Sequence, residues 1–215
     1  MKKIVTLLLA AVMLLALAAC GNGGKETTAN GGDTTASPAV ESKDPLAVLQ
    51  TVWASYGDDE KFAVAGGDMS EENSKMDEPG VFSLENKEEL DATLGLSAEA
   101  AEKVDSAASL VHMMNANTFT CGALRVKNGD DAAKLAEDLR DAIQNKQWMC
   151  GFPDKLVIAT LGNYVVSVYG DEKLVNTFRD KLQAAYSDAA IAYDEMIGEG
   201  EFSDGEDTAL EAPVA

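Results

Sequence analysis

The side chains best suited to covalent chemistry at neutral pH are scarce in this sequence. It holds one histidine, His112, and three cysteines, Cys20, Cys121 and Cys150. A cysteine beside a histidine can act as nucleophile and base, because the thiolate attacks and the imidazole takes its proton. Residues 106–114 and 118–127 are largely apolar and flank the polar run Asn115-Ala116-Asn117, so they read as a hairpin. A turn at Ala116-Asn117 sets His112 opposite Cys121, where cross-strand Cβ atoms stand about 4.5–5.5 Å apart. Such a pair would serve a thiol-dependent redox or hydrolytic enzyme. Neither an oxyanion donor nor a third, orienting group can be named for it. In an oxidising compartment the same sulfur has a second use, a Cys121–Cys150 disulfide. It would close a loop of about 30 residues, worth about 3–4 kcal/mol in the chain-entropy treatment. Two buried free thiols are the other alternative.

Other chemistries leave no trace. One histidine excludes the two-histidine zinc helix, and the chain has no phosphate loop, nucleophile elbow or Ser-x-x-Lys motif. Gly198-Glu199-Gly200 sits in an acidic tail that would repel a phosphate. Asp204-Gly205-Glu206-Asp207 lacks the alternating ligands of a calcium loop. With 37 acidic and 17 basic residues, net charge −20, close carboxylates arise by chance, and nucleic acid is excluded as a partner. No catalytic residue, cofactor or metal ligand can be named. Met113, Met114, Trp148, Met149 and Phe152 have two readings. They form an apolar patch for a ligand or partner near Cys150, or they close the end of the core where helix meets sheet.

The elements follow from periodicity. Asp44-Pro45 starts a helix with Leu46, Leu49, Val52, Trp53 and Tyr56 at helical spacing, and Gly57 stops it. Residues 58–79 read as a long acidic loop with a short strand at 62–65. Asn86 and Ser97 cap two short helices. After the hairpin, Ala132, Leu135, Ala136, Leu139, Ala142 and Ile143 share one helix face. Residues 156–161 and 164–169 form a second hairpin around Gly162-Asn163. A last helix runs from Asp171 and continues towards Ile197. The order β-β-α-β-β-α, preceded by two or three short helices, predicts an α+β fold. One domain, 44–197, has an antiparallel sheet covered on one face by helices. Residues 198–215 read as an acidic disordered tail.

The amino terminus carries an address. Met1-Lys2-Lys3, an apolar run over 4–17 and a small-residue end mark residues 1–19 as an export signal too short to span a bilayer. Leu17-Ala18-Ala19-Cys20 resembles the lipobox of bacterial lipoproteins. That resemblance implies diacylglyceryl on Cys20, which becomes the first residue after cleavage. Two acyl chains suffice for stable anchoring. Losing Lys2 and Lys3 makes the chain still more acidic, so lipid, not peptide surface, would hold it at the membrane. Residues 20–43 add a Gly-, Thr- and Ser-rich tether reaching about 25 Å.

Met113-Met114-Asn115, the strand-to-helix crossing at 128–147, Gln147-Trp148, Phe152-Pro153-Asp154 and Gly162-Asn163-Tyr164-Val165-Val166 form a set. It resembles small cell-surface lipoproteins of clostridia-like Gram-positive bacteria that carry a conserved domain without an assigned function. The resemblance covers about residues 105–185 plus leader and tether. It implies a lipid-anchored, extracytoplasmic α+β domain and transfers no catalytic residue. The expectation is a non-enzymatic lipoprotein binding a protein partner or small ligand at the outer face of the cell membrane. The thiol enzyme using Cys121 and His112 is its rival, and a spacer role with loose calcium binding by the acidic segments is a third reading.

Overall fold

The computed structural model describes residues 44–198, apart from Met69 and Cys150. The leader, Cys20, the tether and the tail beyond Gly198 lie outside the described residues. No described helix is long and apolar enough to cross a membrane.

Helix α1, Pro45–Ala54, starts where Asp44 Oδ1 accepts the Leu46 N–H at 2.9 Å, with Pro45 in the first turn. It buries Val48, Leu49, Val52 and Trp53. The acidic segment that follows is more ordered than its composition suggests. It forms three short strands, β1 (Val64–Gly66), β2 (Lys75–Met76) and β3 (Gly80–Phe82). Buried Asp68 organises it by accepting from Ser83 N, Asn73 Nδ2, and the backbone and hydroxyl of Ser70. Helices α2 (Lys87–Leu94) and α3 (Ala98–Ala101) take their caps from Asn86 and Ser97, as expected, and Gly95 ends α2 in the left-handed region.

The expected β-β-α-β-β-α order appears as β4 (Val104–His112), β5 (Phe119–Val126), α4 (Ala132–Gln144), β6 (Lys155–Leu161), β7 (Tyr164–Gly170) and α5 (Glu172–Ala185). Residues beyond Tyr186 do not continue α5. They form an eighth strand, β8 (Ala190–Met196), antiparallel to β6. Its Ala, Met and Glu residues favour helix locally, but pairing with β6 and ion pairs to both neighbouring helices outweigh that preference. The eight-stranded antiparallel sheet runs β2-β1-β4-β5-β7-β6-β8, with β3 also on β4. The fold is α+β.

Helices cover both faces of the sheet, not one. Residues of α1 and α5 pack with Leu110, Phe119, Cys121, Val157, Val166 and Val168. Residues of α2, α3 and α4 pack on the other face with Ala107, Leu124, Leu156, Ile158 and Val165. The cause is topological. The connections β5-α4-β6 and β7-α5-β8 step the same way across the sheet, but they start on antiparallel strands. Crossovers of one hand, right-handed as a rule, must then lie on opposite faces. Strand alternation supplies an apolar row for each layer.

Candidate functional site

One end of the sheet gathers the β4–β5 turn, the loop between α4 and β6, and the start of α5. Asn115 accepts from the Asn117 N–H at 3.0 Å and opens a 3-10 turn at Ala116–Thr118. The Asn117 amide donates across to the carbonyls of Met149 and Gly151, at 3.0 and 2.9 Å. Asp171 N donates to Thr118 O, and Asp154 N to Gly170 O, both at 2.9 Å. Gly170, at φ +147°, brings its backbone so close to Thr118 that a Cβ would stand 2.2 Å from that carbonyl oxygen. These bonds hold three separate segments in one arrangement.

They enclose an open cleft of about 200 Å³ lined by Asn115, Asn117, Thr118, Phe152, Asp154 and Asp171. Met114 and Met149 stand beside it in sequence, each 81% exposed, with Phe152 at 49% and Met113 at 41%. Four of the five patch residues are therefore exposed around one end of the sheet. Trp148 is not. It packs against the α2–α4 core, with its ring 5.3 Å from Tyr169 and the Lys146 ammonium 5.0 Å over it. Lys146 also donates to Ala92 O at the end of α2, fastening the loop from behind.

The cysteine–histidine pair is not formed as the turn at Ala116-Asn117 required. Cys121 lies opposite Leu110, two residues from the expected partner, and His112 pairs with Val64 of β1. The 3-10 turn takes more residues than the tight turn assumed, and each residue added shifts the register. Cys121 is a free, fully buried thiol, and desolvation pushes its pKa well up, so little of it is thiolate. Its expected disulfide partner, Cys150, lies outside the described residues. His112 Nδ1 accepts the N–H groups of Met114 (3.2 Å) and Asn115 (3.3 Å), and its ring stacks on Phe62. A neutral ring with Nδ1 accepting carries its proton on Nε2. His112 thus braces the turn. Among the described residues, no group of three or more His, Cys, Asp and Glu side chains is arranged to hold a metal.

Nothing in the sequence singles out Asn115, Asn117, Asp154 and Asp171 as site residues. The Asn-x-Asn spacing signals an Asx turn, and Asp171 signals a helix cap. Neither tells that the two meet. Comparison with protein-family models, curated proteins and solved structures finds no match to any of them.

Proposed function

We propose that this is a lipid-anchored extracytoplasmic lipoprotein, akin to the clostridial surface lipoproteins it resembles, whose domain binds a protein partner or small ligand without catalysis. The observation that carries the binding role is the exposure of Met113, Met114, Met149 and Phe152 at the end of the sheet where a polar cleft opens. Solvent-exposed apolar side chains grouped with a few polar groups are the usual make-up of a recognition surface. The anchoring role rests on the lipobox-like sequence ending at Cys20. Asp44 acts electrostatically on Arg125 and Tyr164, at the far end of β5 and β7 from the cleft. The described domain therefore begins at the end of the sheet opposite the cleft.

Two measurements test this. Metabolic labelling with palmitate should mark the wild-type chain and not Cys20→Ala; an unlabelled wild type refutes the anchor. Crosslinking in intact cells should yield a defined adduct that Met114→Asp with Met149→Asp abolishes. An adduct that persists in this variant refutes the patch as the binding surface.

A further inference from the structure

We infer that the cleft takes a cationic side chain, the ammonium of a lysine flanked by apolar residues on a peptide segment of the partner. This deepens the binding role proposed above and rests on it.

The cleft presents a surplus of hydrogen-bond acceptors. Asp154 Oδ2 accepts the Glu172 N–H at 3.2 Å, and Asp171 Oδ1 accepts those of Lys173 and Leu174 at 3.0 and 3.1 Å. The second oxygen of each carboxylate has no partner among the described residues. The Asn117 amide nitrogen is committed to Met149 and Gly151, so its carbonyl oxygen is the part left to offer. Among the described residues neither aspartate has an ion-pair partner, and no lysine or arginine lines the cleft. The nearest basic residue along the chain from Asp171 is Lys173, which is exposed and likewise in no ion pair among the described residues. A group with three donors and a positive charge complements such a lining; an anion or another acceptor would face unpaired oxygens.

Size and surroundings narrow the class. Pockets for drug-sized ligands run to about 300–1,000 Å³, so about 200 Å³ suits one side chain rather than a nucleotide or prosthetic group. Phe152 lines the cleft, Met149 gives its carbonyl to the Asn117 amide and Met114 precedes Asn115, and all three side chains are exposed, so they are the apolar surface that the neighbours of that lysine would cover. Methionine adapts to varied apolar shapes. The chain's charge of −20 draws a basic segment towards it before contact.

The test is a titration of the full chain in detergent, followed by amide resonances, with acetyl-Leu-Lys-Leu-amide and its Gln and Glu counterparts. The lysine peptide should shift Asn117, Thr118 and Phe152 to saturation and bind about fivefold more tightly than the glutamine form, the factor for a screened surface pair of ~1 kcal/mol. Asp154→Asn with Asp171→Asn keeps a side-chain oxygen at each position to accept the backbone N–H groups of Glu172, Lys173 and Leu174, and with it the helix cap. The double variant should erase that preference while leaving the melting curve in place. Equal binding of the peptides, a preference that survives the double variant, or no saturable binding overturns the inference. Any of these with the crosslinked adduct still dependent on Met114 and Met149 leaves the binding role standing. Loss of that dependence removes both.

Discussion

Single side chains here do structural work that their chemistry alone would not suggest. Burial opposes the charge on Asp68, but hydrogen bonds from the side chains of Ser70 and Asn73 and from the Ser83 and Ser70 backbone outweigh it and hold its carboxyl at about 2. A folded value below the unfolded one, about 3.9, adds stability above the latter and loses it as pH falls through the former. Asp68 should contribute about 2 kcal/mol at neutral pH. Urea titrations from about pH 5 down to about pH 2 should show a fall in stability that is smaller in Asp68→Asn, by the share that Asp68 contributes. Cys121 gives a second expectation. Iodoacetamide should leave it unmodified in the native chain and modify it in denaturant, because no thiolate reaches solvent. Native modification would restore the thiol-enzyme reading. These two residues also mark how far the sequence can be read. The scarcity of Cys and His is plain in it. Their geometry hangs on a turn whose length depends on Asn115 capping it, and on Phe62 arriving from another segment to stack on His112.

At the scale of elements, hydrophobic periodicity identifies α1, α4, α5 and four central strands because each presents an apolar stripe to a core. It fails on β8, whose alternation is shallow because one edge and much of both faces meet solvent. Charges hold this strand. Asp194 bonds Lys155 at 2.7 Å and Arg179 of α5 at 2.6 Å, and Glu195 bonds Arg140 of α4 at 2.8 Å. Burial works against the Asp194 charge, but its two cations win and lower its pKa, so this clasp holds at neutral pH and weakens as acid protonates it. Asp194→Asn should cost about 1–2 kcal/mol, given a partly exposed carboxylate and a buried Lys155 left unpaired. Hydrogen exchange should localise the loss to the β8 and β6 amides. Exchange unchanged there would mean the pairs are ornamental to the strand. On the other face, Leu94 packs so closely on Gly122 that a Cβ would stand 3.1 Å from it. Gly122→Val should therefore destabilise by about 1–3 kcal/mol through overpacking, measured by thermal melting. The sequence cannot flag this glycine, since its neighbour comes from α2, far along the chain.

For the whole molecule, the two-faced layering follows from strand order, which no local pattern encodes. Once β5 and β7 are neighbours and antiparallel, the faces of α4 and α5 are fixed. The cleft is a product of the same topology. It forms where the end of β7 meets the start of β5, so residues as distant as Asn117 and Asp171 become its walls. That is why the patch of methionines can be suspected from sequence and the carboxylates beside it cannot.

The rim of the sheet at β8 carries a further consequence. Ala192 has no partner on β6, because Tyr193 pairs with Ile158 and Ile191 with Ala159. This bulge, followed by Asp194 and Glu195, spoils the rim as a template for a neighbouring copy's strand. Many copies concentrated on a two-dimensional surface would meet edge to edge far more often than in dilute solution. A version that lacks Ala192 and carries the substitutions Asp194→Asn and Glu195→Gln should bind thioflavin and form fibres at concentrations where the native chain stays dispersed.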